Sequence, residues 1–176
     1  DHIAGMDDVR AFNYFQKKPV DIYATIHSQE VIKREFPYAF AEKKYPGIPE
    51  IRLHTIGLTM FQVGSLSILP VEVLHYKMPV TGFRIGDFTY ITDANFISEN
   101  EKEKIKGTRV LVLNALRFAP HVSHFTLPEA LELADELGVE QAYFTHISHQ
   151  LGLHDEVSRQ LKAGRYLAYD GLTLEV

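Results

Sequence analysis

Nine histidines and no cysteine set the chemistry open to this 176-residue chain. Without thiols there is no disulfide, no Cys nucleophile and no sulfur-ligated metal. A transition-metal site here must combine imidazole with carboxylate. Four places carry such residues. Asp1-His2 stands before Gly5 and a helical pattern. Two ligand types at a helix entrance could hold a cation, although an exposed terminus is the commoner source of such a pair. His75 follows the apolar run 66–74, where a histidine is more often a satisfied structural residue than a ligand. Asp93, in Thr92-Asp93-Ala94-Asn95, follows another apolar run. Its two oxygens could bridge two metal ions or simply cap a turn. His121-Val-Ser-His124 and His146-Ile-Ser-His149 follow two further runs, and five of the nine histidines fall between 121 and 154. Neutral imidazole suits zinc, manganese or iron. Neither pair has the i, i+4 spacing of a zinc-protease helix. The residues alone support a metal site and a solvated loop set about equally.

The elements that must position these residues are legible from periodicity. Residues 6–16 predict a helix, with Val9, Phe12 and Phe15 at helical spacing, Asp7 and Asp8 at its positive end and Pro19 beyond it. A strand is expected over 21–26, then a helix N-capped by Ser28 and running to about residue 36. Pro37, Pro46, Gly47 and Pro49 mark 37–50 as a loop. Strands follow over 51–56, 60–63, 66–74, 80–85 and 88–91, the last two joined by a two-residue turn at Gly86-Asp87. A charged helix is expected over 99–105. The run 109–116 reads as a strand buried on both faces. Residues 126–137 predict an amphipathic helix with Leu127, Ala130, Leu131 and Ala134 on one face. A strand over 141–145, a helix over 154–161 and a terminal hairpin turning at Asp170-Gly171 complete the pattern. Strands mixed with short helices imply layered α/β packing. Hydrophobic residues are 45% and charged residues 23%, as in soluble globular domains. Eighteen Lys and Arg, scattered and outnumbered by 23 Asp and Glu, disfavour a nucleic-acid footprint. No run approaches the ~18 apolar residues of a membrane span.

In order along the chain, these residues resemble the metallo-β-lactamase superfamily. Asp1-His2-Ile3-Ala4-Gly5 is similar to the second half of its H-x-H-x-D-H signature. Gly5-Met6-Asp7-Asp8-Val9-Arg10 resembles the G-L-D-D-L-R of a branch that includes the cyclic-phosphate phosphodiesterase of phosphonate breakdown. His75, Thr92-Asp93 and Thr145-His146 resemble the later ligand positions. His124, in His-Phe-Thr-Leu-Pro-Glu-Ala, resembles an active-site histidine of those phosphodiesterases and of ribonuclease Z. Ala168-Tyr169-Asp170-Gly171 is similar to the family's last hairpin.

The resemblance implies an α/β fold, the four-layer αββα sandwich, with 1–176 a single domain incomplete at its N-terminus and lacking much of the first sheet. It implies a binuclear hydrolase with two divalent ions (zinc, manganese or iron) and a metal-bridging hydroxide. The implied metal ligands are Asp1, His2, His75, Asp93 and His146, and the implied catalytic residues are His124 and Asp1. His121, His149 and His154 are expected either to orient ligands or to line the loops, with the orienting role preferred for His149. The expected substrate is a small cyclic or nucleotide-like phosphate ester. A ribonuclease Z-like nuclease and a non-catalytic metal-binding fragment of a larger protein are the alternatives. The H-x-H half of the signature does not precede Asp1, so the missing N-terminal segment or a second copy is the expected protein partner. A cytoplasmic location is the default.

Overall fold

The computed structural model describes residues 2–43 and 45–176, which form two compact units divided after Gly57. In the first, a 3-10 turn at Ala4–Val9 runs into α1 (Arg10–Gln16). Lys17 ends the helix two residues before Pro19 by taking a left-handed conformation, φ 54°, and donating its N–H to the Asn13 carbonyl at 2.8 Å. Asn13 then ties the helix to the segment before the second strand. Its Nδ2 donates to the Glu50 carbonyl (2.9 Å) and its Oδ1 accepts from the Glu50 N–H (2.8 Å).

Strand β1 (Val20–Ala24), helix α2 (Ile26–Glu35) and strand β2 (Ile51–Thr55) make a β-α-β crossover, with β1 and β2 parallel from Val20↔Ile51 to Ala24↔Thr55. The cap of α2 is Thr25, not Ser28: the Thr25 hydroxyl accepts the Ser28 N–H at 3.3 Å. Ser28 therefore sits in the first turn, where its own N–H is one of the donors needing a cap. Within 37–50 the chain forms one short 3-10 turn, Pro37–Phe40.

The second unit is built on a seven-stranded sheet. Its strands, in both chain and spatial order, are β3 (Phe61–Val63), β4 (Leu66–His75), β5 (Met78–Ile85), β6 (Phe88–Ile91), β7 (Val110–Asn114), β8 (Gln141–Thr145) and β9 (Arg165–Leu167). Pairing is antiparallel from β3 to β6 and parallel from β6 to β9. Helices α3 (Glu99–Ile105), α4 (Leu127–Glu136) and α5 (His154–Ser158) lie in the connections between the parallel strands. One sheet face packs Val71, Val73, Ile91, Leu111, Leu113, Phe144 and Leu167 into a core with Ile105, Leu127, Ala130, Leu133, Ala134 and Val157. Every residue of β7 is buried, as its unbroken apolar run requires. On α4, Leu133 is buried where Leu131 was expected, and Leu131 packs half-buried against the same core.

Gly82 of β5 has no room for a side chain. A Cβ there would lie 2.7 Å from Ile91 Cγ1 and 2.9 Å from the Tyr90 carbonyl. The expected terminal hairpin is a turn only. The Leu172 N–H closes it on the Tyr169 carbonyl at 3.1 Å, and β9 is the last strand among the described residues. With four polar or turn-forming residues in 169–171 and 173, the tail has few alternating apolar positions to hold a strand in register. No helix among the described residues is long and apolar enough to cross a membrane.

Candidate metal centre

Strands β4, β6, β7 and β8 all run in the same direction, since two antiparallel steps separate β4 from β6 and the rest are parallel. The candidate residues follow their C-terminal ends. His75 is the last residue of β4, Asp93 lies just beyond β6, His124 lies in the connection from β7 to α4, and His146 follows β8. Loops at this end of a parallel sheet are the usual place for a site.

A set of backbone links locks these loops together. The Leu74 N–H donates to the Phe96 carbonyl (2.9 Å) and the Asn95 N–H to the Leu74 carbonyl (2.8 Å). Asn95 Oδ1 accepts the Tyr76 N–H (2.7 Å). The end of β4, and with it His75, is thus tied to the loop that carries Asp93. Asn114, fully buried at the end of β7, does the same from the other side. Its Nδ2 donates to the Ala94 carbonyl and its Oδ1 accepts the Ala94 N–H, both at 2.9 Å. The Phe125 N–H donates to the Ala94 carbonyl (2.8 Å), the Leu116 N–H to the Phe125 carbonyl (2.9 Å), and the Ser148 N–H to the Leu116 carbonyl (2.9 Å). Helix α4 starts directly behind His124 with a capping box between Thr126 and Glu129, which fixes where that loop ends.

Backbone strain concentrates at the same place. Four non-glycine residues among those described have positive φ, and three border the site: Tyr76 (59°), Asp93 (52°) and His146 (56°). Such conformations cost ~1–3 kcal/mol each and persist where surrounding structure dictates them.

The side chains converge. His75, Asp93 and His124 each offer a ligand atom, and these atoms lie within 4.8 Å of one another. His124 Nε2 is 3.0 Å from Asp93 Oδ1, and His146 Nε2 is 3.2 Å from the same oxygen. The His124 ring stacks on His146 (centroids 4.7 Å, 17° between planes) and meets His75 edge-on (4.8 Å, 82°). His124 and Asp93 are mostly buried, with 11% and 15% of their side chains exposed. Burial holds the His124 imidazole below the usual histidine range, against the Asp93 hydrogen bond that favours its charged form; His146 and His75 also lower it. An imidazole and carboxylate donor set of this kind fits a divalent transition metal. His75, Asp93 and His124 are the group whose ligand atoms converge closely enough to hold one, with His146 beside the same Asp93 oxygen.

The remaining sequence candidates lie elsewhere along the chain. Asp1 lies outside the described residues. His2 is exposed in the turn before the first 3-10 segment of the other unit. His149 opens a short 3-10 turn, exposed, and His154 contacts Asp155 (3.5 Å) and Tyr169. The hydrogen-bonded neighbours of His124 are instead His121 and Ser123. Asn95 and Asn114 went unremarked in the sequence. For Asn114 a signal existed, since an amide closing an unbroken apolar strand must find partners once buried.

Comparison with known proteins agrees with this picture. Residues 1–147 match the family model described as the beta-lactamase superfamily domain. A solved diphosphatase of the PhnP family superposes with a TM-score of 0.87 at 35% identity, covering 98% of this chain and 66% of that one. Human tRNase Z, short form, shares the fold, with a TM-score of 0.57 at 16% identity over 90% of this chain and 67% of its own. An octanoyltransferase of Porphyromonas gingivalis (strain ATCC BAA-308 / W83) is 32% identical over 174 residues, which are 98% of this chain and 35% of that protein. The chain therefore spans about a third of the curated relative it matches, and just under two thirds of the diphosphatase.

Proposed function

Because the chain belongs to the beta-lactamase superfamily domain family, we propose that it is part of a metal-dependent phosphodiesterase. Its substrate would be a small cyclic or nucleotide-like phosphate ester. The observation that carries the reading is the convergence of His75, Asp93, His124 and His146 at the carboxyl ends of aligned strands. The fold similarity to a diphosphatase at 35% identity supports phosphate chemistry over the other hydrolyses of the superfamily.

A bound divalent metal supplies an acidified water and neutralises charge on a phosphate oxygen. The protein's own residues supply the rest. His75, Asp93 and His146 would hold the cation, on segments tied together through the loop that carries His124. Asp93 has two carboxylate oxygens and so can serve two cations at once. His124, held against Asp93 and largely screened from water, donates a proton from Nε2 to the leaving oxygen. The same proposal takes residues 1–176 as a portion of one larger domain.

The test is hydrolysis of bis-p-nitrophenyl phosphate and of cyclic nucleotides by the complete protein loaded with manganese or zinc. The proposal expects turnover that chelation abolishes and metal restores. No cleavage of either substrate class by metal-loaded protein overturns it.

A further inference from the structure

The connection from β7 to α4 is tied at its ends and loose in its middle. The Leu116 N–H donates to the Phe125 carbonyl (2.9 Å), and the Leu127 N–H to the Arg117 carbonyl (3.0 Å). Among the described residues, none from 118 to 124 makes a backbone–backbone hydrogen bond. Phe118, Ala119, Pro120 and Val122 are exposed. Yet this excursion carries His124. What turns it back is the Arg117 side chain. Its Nε donates to the Ala119 carbonyl (3.1 Å) and its Nη2 to the Pro120 carbonyl (2.8 Å). Its Nη1 donates to Gln150 Oε1, on the connection that follows β8. A guanidinium has donors only, so all three directions are fixed. Gln150 is held in turn. The Ser148 hydroxyl accepts its N–H at 3.2 Å, and the next residue, Leu151, is buried in the core. The same connection begins with His146.

We propose that Arg117 is a positioning residue: through Gln150 it clasps the loop of His124 to the loop of His146 and keeps the two rings stacked. This rests on the reading of these histidines as parts of a metal-dependent site. Each of the three guanidinium nitrogens is engaged by an acceptor of the protein itself, the arrangement of a clasp and not of a grip on substrate phosphate. The planar fork serves both loops at once. A lysine ammonium, a single point on a flexible stem, does not span those acceptors. Without the clasp, residues 118–123 lose the side chain that folds them back, and His124 leaves the stack on His146 (centroids 4.7 Å).

The test uses the complete protein with zinc, and with cobalt(II) as a visible probe of the same centre. Arg117→Met and Gln150→Ala are each expected to alter the cobalt absorption bands and to weaken zinc binding ~10- to 100-fold. On bis-p-nitrophenyl phosphate, kcat should fall over the same range while KM changes little. The double variant should be no worse than Arg117→Met alone, because both substitutions break one link. Gln150→Ala removes only a surface amide, so its urea midpoint should stay close to wild type. Arg117→Lys should not restore the cobalt spectrum. An unchanged spectrum and zinc affinity in both variants, effects that add in the double variant or only track unfolding, or full recovery in Arg117→Lys overturns the proposal. If the complete protein cleaves no phosphate ester, the hydrolase reading falls, while the spectrum and the zinc affinity still decide whether Arg117 is the clasp.

Discussion

Asn114 shows how much of the site rests on single polar atoms away from it. Its amide makes the two hydrogen bonds that a neighbouring strand would otherwise make to Ala94, the residue after Asp93. Replacing it with Leu keeps the volume and removes both bonds. Ala94 would then bury its N–H without that partner, at a cost of ~2–3 kcal/mol for two lost buried hydrogen bonds. The Asp93 carboxylate, on a strained backbone, would lose its reference point. Asn114→Leu is therefore expected to unfold at lower denaturant concentration and to bind zinc more weakly. Chemical denaturation and zinc titration calorimetry check the two halves separately. At this scale the sequence was informative where residue type alone signals chemistry. His75, Asp93, His124 and His146 could be named as candidates from their place after apolar runs. Which of His121, His149 and His154 stands beside His124 could not be told, because that contact, made by His121, is a matter of loop geometry that spacing does not specify. His149, the preferred orienting residue, is exposed in a short 3-10 turn, and the neighbour of His124 comes from its own loop.

Elements were legible where one physical signal dominated. The bounds of β6, α3 and β8 agree with the periodicity, and the structure ends α4 within a residue of the expected limits. The misses have local causes. Thr25 and Ser28 are both good capping residues, and the choice between them falls to the one whose hydroxyl sits before the first helical turn. Between α4 and β9 the fastening is electrostatic and was not foreseen. Arg165, 7% exposed, reaches Asp135 at 2.8 Å and also donates to the carbonyls of Val139 and Gly164. Lys162 hydrogen-bonds to the other oxygen of Asp135. Lys162 first, and Arg165 with it, hold the Asp135 carboxyl below its ordinary value. A carboxylate depressed on folding stabilises the protein fully above its unfolded value near 3.8. That contribution is lost as pH falls through the lower folded value. Wild type should thus exceed Asp135→Asn in stability at neutral pH, by no more than about 1 kcal/mol because the carboxylate is partly exposed. The gap should close as the medium is acidified below about pH 4. Urea titrations of both proteins across that range measure it.

For the whole molecule, composition bounded the class and the ordered set of motifs bounded the family, while neither could say how the chain divides. The sheet of the second unit carries the candidate centre with its helices and core, and the β-α-β unit that follows Asp1-His2 is compact in its own right. The central claim is that His75, Asp93, His124 and His146 come together because the protein holds a divalent metal there. The most direct measurement is elemental analysis of the purified complete protein and of its Asp93→Ala variant after equilibration with zinc. Asp93 touches both His124 and His146, so its loss removes the group the histidines share. The account predicts stoichiometric zinc in the wild type and its loss in a variant that remains folded. Zinc held equally by both proteins, or by neither, would contradict it.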